Sequence, residues 1–215
     1  MRVLILGGTR EARELKEQLG EQAILALKRT TTFGGAHGLQ RYVDEEHITH
    51  IVDATHPFAA RISANAAATT APLLRLERPP YPPRAGYVYI EHLHELDLPD
   101  GARVFLTTGH HEIEALEDHP AFFLVRAINP PPVLPRHHEL VLAQGPFTLE
   151  NERELIRRHR LTHLISKDSG GSDAKIQAAA EAKLTTILIK RPPLPPTAHT
   201  AATVAEALAY LLAMK

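Results

Sequence analysis

The chain has no cysteine and no tryptophan among its 215 residues. Without a thiol there is no disulfide, no thiolate nucleophile and no cysteine-held metal. An excess of charge is also missing. Its 24 Lys and Arg against 25 Asp and Glu leave a net charge of −1, which excludes a general attraction to nucleic acid or to an anionic membrane. No apolar run is long enough to span a bilayer. Met1-Arg2 runs straight into a strand and turn rather than a leader peptide, so the cytoplasm is the expected location. Histidine is plentiful at 14, but His110-His111 and His137-His138 are adjacent pairs. They lack the i, i+4 spacing that puts two ligands on one helix face, and no H-E-x-x-H occurs, so no metal is expected. Methionine (2) is scarce and proline (17) frequent, a balance that suits a thermophile.

What is present begins with Val3-Leu4-Ile5-Leu6, a short apolar run typical of a buried parallel strand. Gly7-Gly8-Thr9 follows, and residues 10–17 read as a helix. A strand that turns through glycine into a helix N-terminus offers N–H groups and a positive dipole end to a phosphate. Two glycines fall short of the full G-x-G-x-x-G fingerprint, so the motif alone does not separate a nucleotide site from a packing turn. A second strand, 23–27, ends in Lys28, Arg29 and Thr30. In dinucleotide folds this point meets the adenosine ribose, and basic or hydroxyl residues there accommodate a 2′-phosphate. They favour NADP over NAD.

The rest of the chain alternates strand and helix. Residues 33–38 read as a flexible glycine loop. A third strand ends in Asp53-Ala54-Thr55-His56-Pro57-Phe58-Ala59, a helix covers 60–70 and a strand 73–76. Prolines from Pro79 to Pro83 stop that strand. A short strand and a helical turn fall within 87–96. The turn Leu98-Pro99-Asp100-Gly101 is the expected domain boundary, giving domains 1–98 and 99–215. The second half repeats the plan: strand 103–106, helix 110–117, strands 121–126 and 140–143, helix 150–160 and a closing amphipathic helix 200–214. Residues 48–80 and 161–193 align without a gap. Both start with Thr-His, at Thr49-His50 and Thr162-His163, and both end in Arg-Pro-Pro, at 78–80 and 191–193.

The expected fold is α/β: two similar Rossmann-like parallel-sheet domains with a cleft between them. Ligands of such sheets sit beyond the C-terminal strand ends. Gly7-Gly8-Thr9, Thr55-His56-Pro57-Phe58 and Lys167-Asp168-Ser169-Gly170-Gly171, with Lys175 one or two turns on, gather there and suit phosphates or carboxylates.

Read together, Ile5-Leu6-Gly7-Gly8-Thr9-Arg10-Glu11-Ala12, the segment 53–59, Ser63-Ala64-Asn65-Ala66, Leu74-Arg75-Leu76-Glu77-Arg78-Pro79, Phe105-Leu106-Thr107-Thr108-Gly109, Gly145-Pro146-Phe147 and Ser166-Lys167-Asp168-Ser169-Gly170-Gly171 resemble the precorrin-6A reductase family of the corrin route to cobalamin. The resemblance runs nearly end to end. It implies two Rossmann-like domains, a strand exchanged between them, and a reduced nicotinamide cofactor, NADPH with NADH possible. It also implies reduction of one macrocycle double bond.

On this view Gly7, Gly8, Thr9, Arg10, Glu11, Lys28, Arg29, Thr30, Thr55, His56, Pro57 and Phe58 hold the cofactor. The substrate is a large polycarboxylate, for which Arg126, Lys167, Ser169, Gly170, Gly171 and Lys175 are the candidates. His56, Asp168 or solvent supplies the proton, and the sequence does not choose; for His56 the favoured reading is that it only fixes its own loop. Nor does it separate the cobalt-free from the cobalt-bound macrocycle. The expected partner is the small tetrapyrrole alone, met by a monomer. Two other classes remain: a tetrapyrrole-pathway methyltransferase, which would want an acid where Lys28-Arg29 stand, and a non-catalytic NADP-binding module.

Overall fold

The computed structural model describes residues 1–27 and 33–214. The chain forms two compact units, Met1–Pro79 with Pro192–Lys215, and Pro80–Arg191.

Unit 1 starts with β1 (Val3–Leu6), all four residues buried, and α1 (Arg10–Leu19). Then come β2 (Ala23–Ala26), α2 (Ala36–Glu45), β3 (His50–Asp53), α3 (Ala60–Ala67) and β4 (Leu73–Leu76). After an excursion through unit 2 the chain returns. On its return it adds β11 (His199–Ala201) and α6 (Val204–Ala213). The strands lie in the order β11-β4-β3-β1-β2, all parallel. One face packs Val3 and Ile5 on Ala12, Leu15 and Leu19 of α1 and on Val204, Ala207 and Leu211 of α6. The spacings of three, four and seven put each apolar stripe on one helix face. The other face sets Leu4, Leu6 and Ile51 against Leu39 and Val43 of α2.

The glycine loop expected at 33–38 is in part a helix start. Gly35 takes φ 91° as the N-cap of α2. A Cβ on Gly38 would fall 1.4 Å from the Phe33 carbonyl oxygen, so this glycine lets the helix seat on the preceding turn. Only Leu39 and Val43 mark its buried face, too little signal for periodicity to find.

Unit 2 holds β5 (Tyr87–Ile90), β6 (Arg103–Leu106), β7 (Phe122–Ala127), β8 (His138–Leu142), α4 (Leu149–Arg158), β9 (His163–Lys167), α5 (Ala174–Glu181) and β10 (Thr185–Ile189). Its parallel sheet runs β5-β10-β9-β6-β7-β8. Phe105, Leu124, Leu164 and Leu188 pack beneath Ile156 of α4 and Ile176, Ala178 and Ala179 of α5. The helix expected at 110–117 is only a 3-10 turn, Ile113–Leu116. Gly109 at φ 68° and Glu112 at φ 53° break any earlier helical path.

The repeat is physical. Arg2 N–H donates to the Thr49 hydroxyl (3.0 Å), which donates back to the Arg2 carbonyl (3.1 Å). Arg103 and Thr162 make the same pair at 3.0 and 3.2 Å. Thus β1, β2, β3 and β4 correspond to β6, β7, β9 and β10. The strand outside the fourth is exchanged: β5 follows β4 in the chain but pairs with β10, and β11 follows β10 but pairs with β4. The division expected at 98/99 therefore differs from the compact units, which change over at 79/80 and 191/192. The two Arg-Pro-Pro segments are the cause. Proline lacks the N–H a strand needs, so the chain leaves each sheet there.

Candidate active site

Parallel strands carry all their C-terminal ends to one edge of each sheet, where open α/β sheets bind ligands. In unit 1, Leu6 of β1 lies in register with Ala26 of β2 and Asp53 of β3. Gly7 follows at φ 120°, and a Cβ there would stand 2.5 Å from the Ala54 carbonyl oxygen. Thr9 caps α1, accepting from Ala12 N–H at 3.1 Å, and donates to the same Ala54 oxygen at 2.8 Å. The turn after β1 is thereby fastened to the loop after β3.

Gly8 differs from Gly7. It is exposed, and an added Cβ would make only an ordinary 3.5 Å contact with Leu27. The fold has no need of glycine there. What glycine leaves is bare backbone at the N-terminus of α1, the cradle a pyrophosphate requires. Arg10, the first helical residue, is exposed, and Glu11 pairs with Arg78 at 3.2 Å. Lys28, Arg29 and Thr30 lie outside the described residues.

The loop after β3 is held from below. Buried Asp53 accepts from the Thr55 hydroxyl (2.7 Å) and N–H (3.2 Å). Ser63 Oγ lies 3.3 Å from the Thr55 hydroxyl oxygen. Arg75 Nε lies 3.7 Å from the other Asp53 oxygen, and Arg75 Nη1 donates to the Pro195 carbonyl at 2.8 Å. His56 Nδ1 accepts from Phe58 N–H at 3.3 Å, which orders its own loop, and Pro57 is buried. Asp53 and Arg75 were not among the expected site residues. The available signal was a charged residue inside an apolar strand, twice.

In unit 2, Lys167 ends β9 and is half-buried. Burial pushes its ammonium below the usual lysine range, and the negative charge of Glu112 opposes that fall. Glu112 hydrogen-bonds His92 Nδ1 (2.8 Å) and accepts from Leu93 N–H (2.9 Å), with His111 Nε2 at 3.7 Å. Burial alone would raise the Glu112 carboxyl, but those two bonds bring it below its ordinary value. His111 is pushed down by burial and then by the Lys167 charge. Neither Glu112 nor His111 was expected in the site.

Asp168 is buried and occupied. Its Oδ1 accepts from Tyr81 N–H at 2.9 Å, and Arg191 Nε donates to its carbonyl at 2.7 Å. It therefore fastens both proline segments to unit 2. Ser169 is buried beside it, and Gly170 and Gly171 take φ 64° and 79°, which glycine adopts without strain. Lys175 turns to the Tyr81 hydroxyl (3.2 Å), which donates to the Ser172 carbonyl (3.2 Å).

Arg126, expected as a substrate cation, lies buried within β7. It is paired with Glu152 at 2.9 Å, and its guanidinium carbon lies 4.7 Å from the Phe105 ring centre and 3.8 Å from that of Phe147. Burial lowers its pKa and Glu152 opposes this. Among the described residues no three His, Asp or Glu side chains are grouped to hold a metal.

A sequence model of the family described as precorrin-6x reductase CbiJ/CobK matches residues 25–212. The chain belongs to this family. It is 43% identical to the precorrin-6A reductase of Rhodococcus erythropolis, covering 98% of this chain and 97% of that one. Identity to the Mycobacterium tuberculosis (strain H37Rv) precorrin-6A reductase is 37%, covering 90% of each. The solved structure of CobK precorrin-6A reductase superposes with a TM-score of 0.88 at 33% identity, over 99% of this chain and 96% of that one. The chain is thus a reductase with two parallel-sheet α/β domains, and the methyltransferase and non-catalytic readings fall away. Among the described residues no helix is long and apolar enough to cross a membrane.

Proposed function

We propose that this reductase adds two hydrogens across one ring double bond of precorrin-6A, with NADPH as the reductant. Unit 1 takes the cofactor and the strand ends of unit 2 take the macrocycle. The observation that carries the cofactor assignment is Gly8, a glycine the fold does not require, at the helix N-terminus where backbone must be left bare. NADPH is preferred to NADH because Lys28, Arg29 and Thr30 follow β2 in the sequence. The names of the two relatives given above, at 43% and 37% identity, support the cobalt-free substrate.

When bound, the reduced nicotinamide supplies the hydride. The chain's own part is to bind, orient and protonate. Gly8 and Thr9 offer N–H groups to the pyrophosphate, while Gly7, whose own N–H donates to the Ala26 carbonyl at 3.1 Å, shapes the turn. Asp53 and Arg75 hold Thr55 and its loop, so His56, Pro57 and Phe58 form a fixed wall. In unit 2, Lys167 and the Ser169-Gly170-Gly171 turn meet the carboxylated macrocycle, with Lys175 behind them. Balanced net charge and a small-molecule substrate fit a monomer working in the cytoplasm.

The test is anaerobic turnover, following nicotinamide absorbance with NADPH or NADH and with precorrin-6A or its cobalt form. NADPH consumption with the cobalt-free ring is expected to be fastest. No oxidation with either macrocycle would sink the proposal, and equal affinity for NADH would remove the role given to Lys28 and Arg29.

A further inference from the structure

We propose that Asp53 and Arg75 set the sense in which Thr55 hydrogen-bonds, so that its hydroxyl oxygen serves as an acceptor for a donor on the nicotinamide half of the cofactor. This rests on the reading of unit 1 as the NADPH site and deepens it. The donor is a carboxamide N–H or a ribose hydroxyl.

A hydroxyl has one proton to give and two lone pairs. The Thr55 proton goes to Asp53 Oδ1 at 2.7 Å, and the Thr55 N–H goes to the same oxygen at 3.2 Å. Ser63 Oγ, buried on α3, lies 3.3 Å from the Thr55 oxygen. With the Thr55 proton committed to Asp53, Ser63 is the donor of that pair. It fills one lone pair of the Thr55 oxygen and leaves the other for a ligand. Arg75 Nε stands 3.7 Å from Asp53 Oδ2, too far for a hydrogen bond. Both Nε and Nη2 of Arg75 are buried and make no hydrogen bond among the described residues. Arg75 therefore gives Asp53 charge rather than a proton, and Oδ1 is left to Thr55. Its Nη1 donates to the Pro195 carbonyl at 2.8 Å, which fixes where that charge stands.

Strand order gives the half of the cofactor. Inward of β11, unit 1 runs β4-β3-β1-β2. The pyrophosphate turn follows β1, and Thr9 in it donates at 2.8 Å to the carbonyl of Ala54, the residue before Thr55. Lys28 and Arg29 follow β2, the adenosine side. A dinucleotide laid across these strand ends, with its adenosine beyond β2, sends its other half over the end of β3. Thr55 is partly exposed there. Carboxamide and ribose both carry donors, and an oxygen with no proton left to give suits them.

Binding to the full chain tests this without turnover. Calorimetric titrations compare NADPH, its acetylpyridine analogue (a methyl in place of the carboxamide amino group) and adenosine 2′,5′-bisphosphate, which lacks the nicotinamide half. Thr55→Val is expected to weaken NADPH about five- to tenfold, the worth of one neutral hydrogen bond, and to leave the bisphosphate unchanged. Thr55→Ser restores the affinity. A carboxamide donor is shown when Thr55→Val costs the acetylpyridine analogue nothing, a ribose donor when it weakens both dinucleotides alike.

Two further variants test the positioning role, each with its melting curve. Asp53→Leu with Arg75→Met removes both charges together, so neither is left alone in the core. Asp53→Asn keeps the shape but turns its oxygen to Arg75 and its amide N–H to Thr55. Either should weaken NADPH as Thr55→Val does, and adding Thr55→Val should cost little more, because Asp53 acts through Thr55. Additive losses overturn the positioning role. Unchanged NADPH affinity in Thr55→Val overturns the acceptor, and so does an equal loss of the bisphosphate, which marks a damaged turn. If wild type binds neither NADPH nor the bisphosphate, the cofactor reading of unit 1 has itself failed, and this inference with it.

Discussion

Two adjacent glycines do different work. Gly7 is required by the chain, because a Cβ would meet the Ala54 carbonyl oxygen at 2.5 Å from a left-handed backbone. Gly7→Ala should therefore cost about 1–3 kcal/mol of stability by overpacking and strain, read by denaturant unfolding. Gly8→Val should leave stability close to wild type, since its Cβ finds only Leu27 at 3.5 Å. It should abolish NADPH binding in a calorimetric titration by filling the space a pyrophosphate needs. Retained binding in Gly8→Val would move the phosphates away from this turn. Sequence marked both glycines equally, because spacing says where a turn is but not which atoms crowd it.

At the level of elements, the β8–α4 loop is pinned by one buried ion pair. Arg126 comes from β7 and Glu152 from the first turns of α4, and Phe147 of the connecting loop lies over the guanidinium. Removing one partner strands the other charge in the core, a loss of about 3–5 kcal/mol. Glu152→Leu alone should show that fall in chemical denaturation, whereas Arg126→Met with Glu152→Leu should recover most of it. Equal destabilisation by the single and double variants would mean the loop, not the pair, carries the energy. The pairing of Arg126 was not legible in the sequence, because Glu152, 26 residues away, has no local mark as its partner. The missing helix at 110–117 has a related cause. Glu112 sits in a left-handed turn set by His92 and Leu93, which lie earlier in the chain.

For the whole molecule, the exchange of β5 and β11 makes the two halves of the sequence unequal to the two compact units. Fragments 1–98 and 99–215 should each fail to fold alone. The first lacks β11 and α6, so Leu74, Leu76 and the buried face of α1 lose their cover. The second lacks β5, the edge partner of β10. Co-expressed, the fragments should recover the native circular dichroism spectrum and a single stable complex. An independently cooperative 1–98 fragment would show that the exchanged elements are dispensable.

Much of this molecule is local and was open to reading in advance. Four consecutive apolar residues make a strand that must be buried on both faces. A Thr between strand and helix makes a cap, and a Thr-His repeat 113 residues apart (Thr49-His50, Thr162-His163) marks two copies of one unit. These depend on propensity, spacing and hydrogen bonds near in sequence or repeated along it. Tertiary structure alone decided which sheet each late strand joins, which charges are spent on one another, and which glycine has room for a side chain. A strand's donors and acceptors are the same whatever its neighbour, so its sequence carries no address. A buried charge is likewise defined by its partner, and that partner is chosen only when the chain has folded.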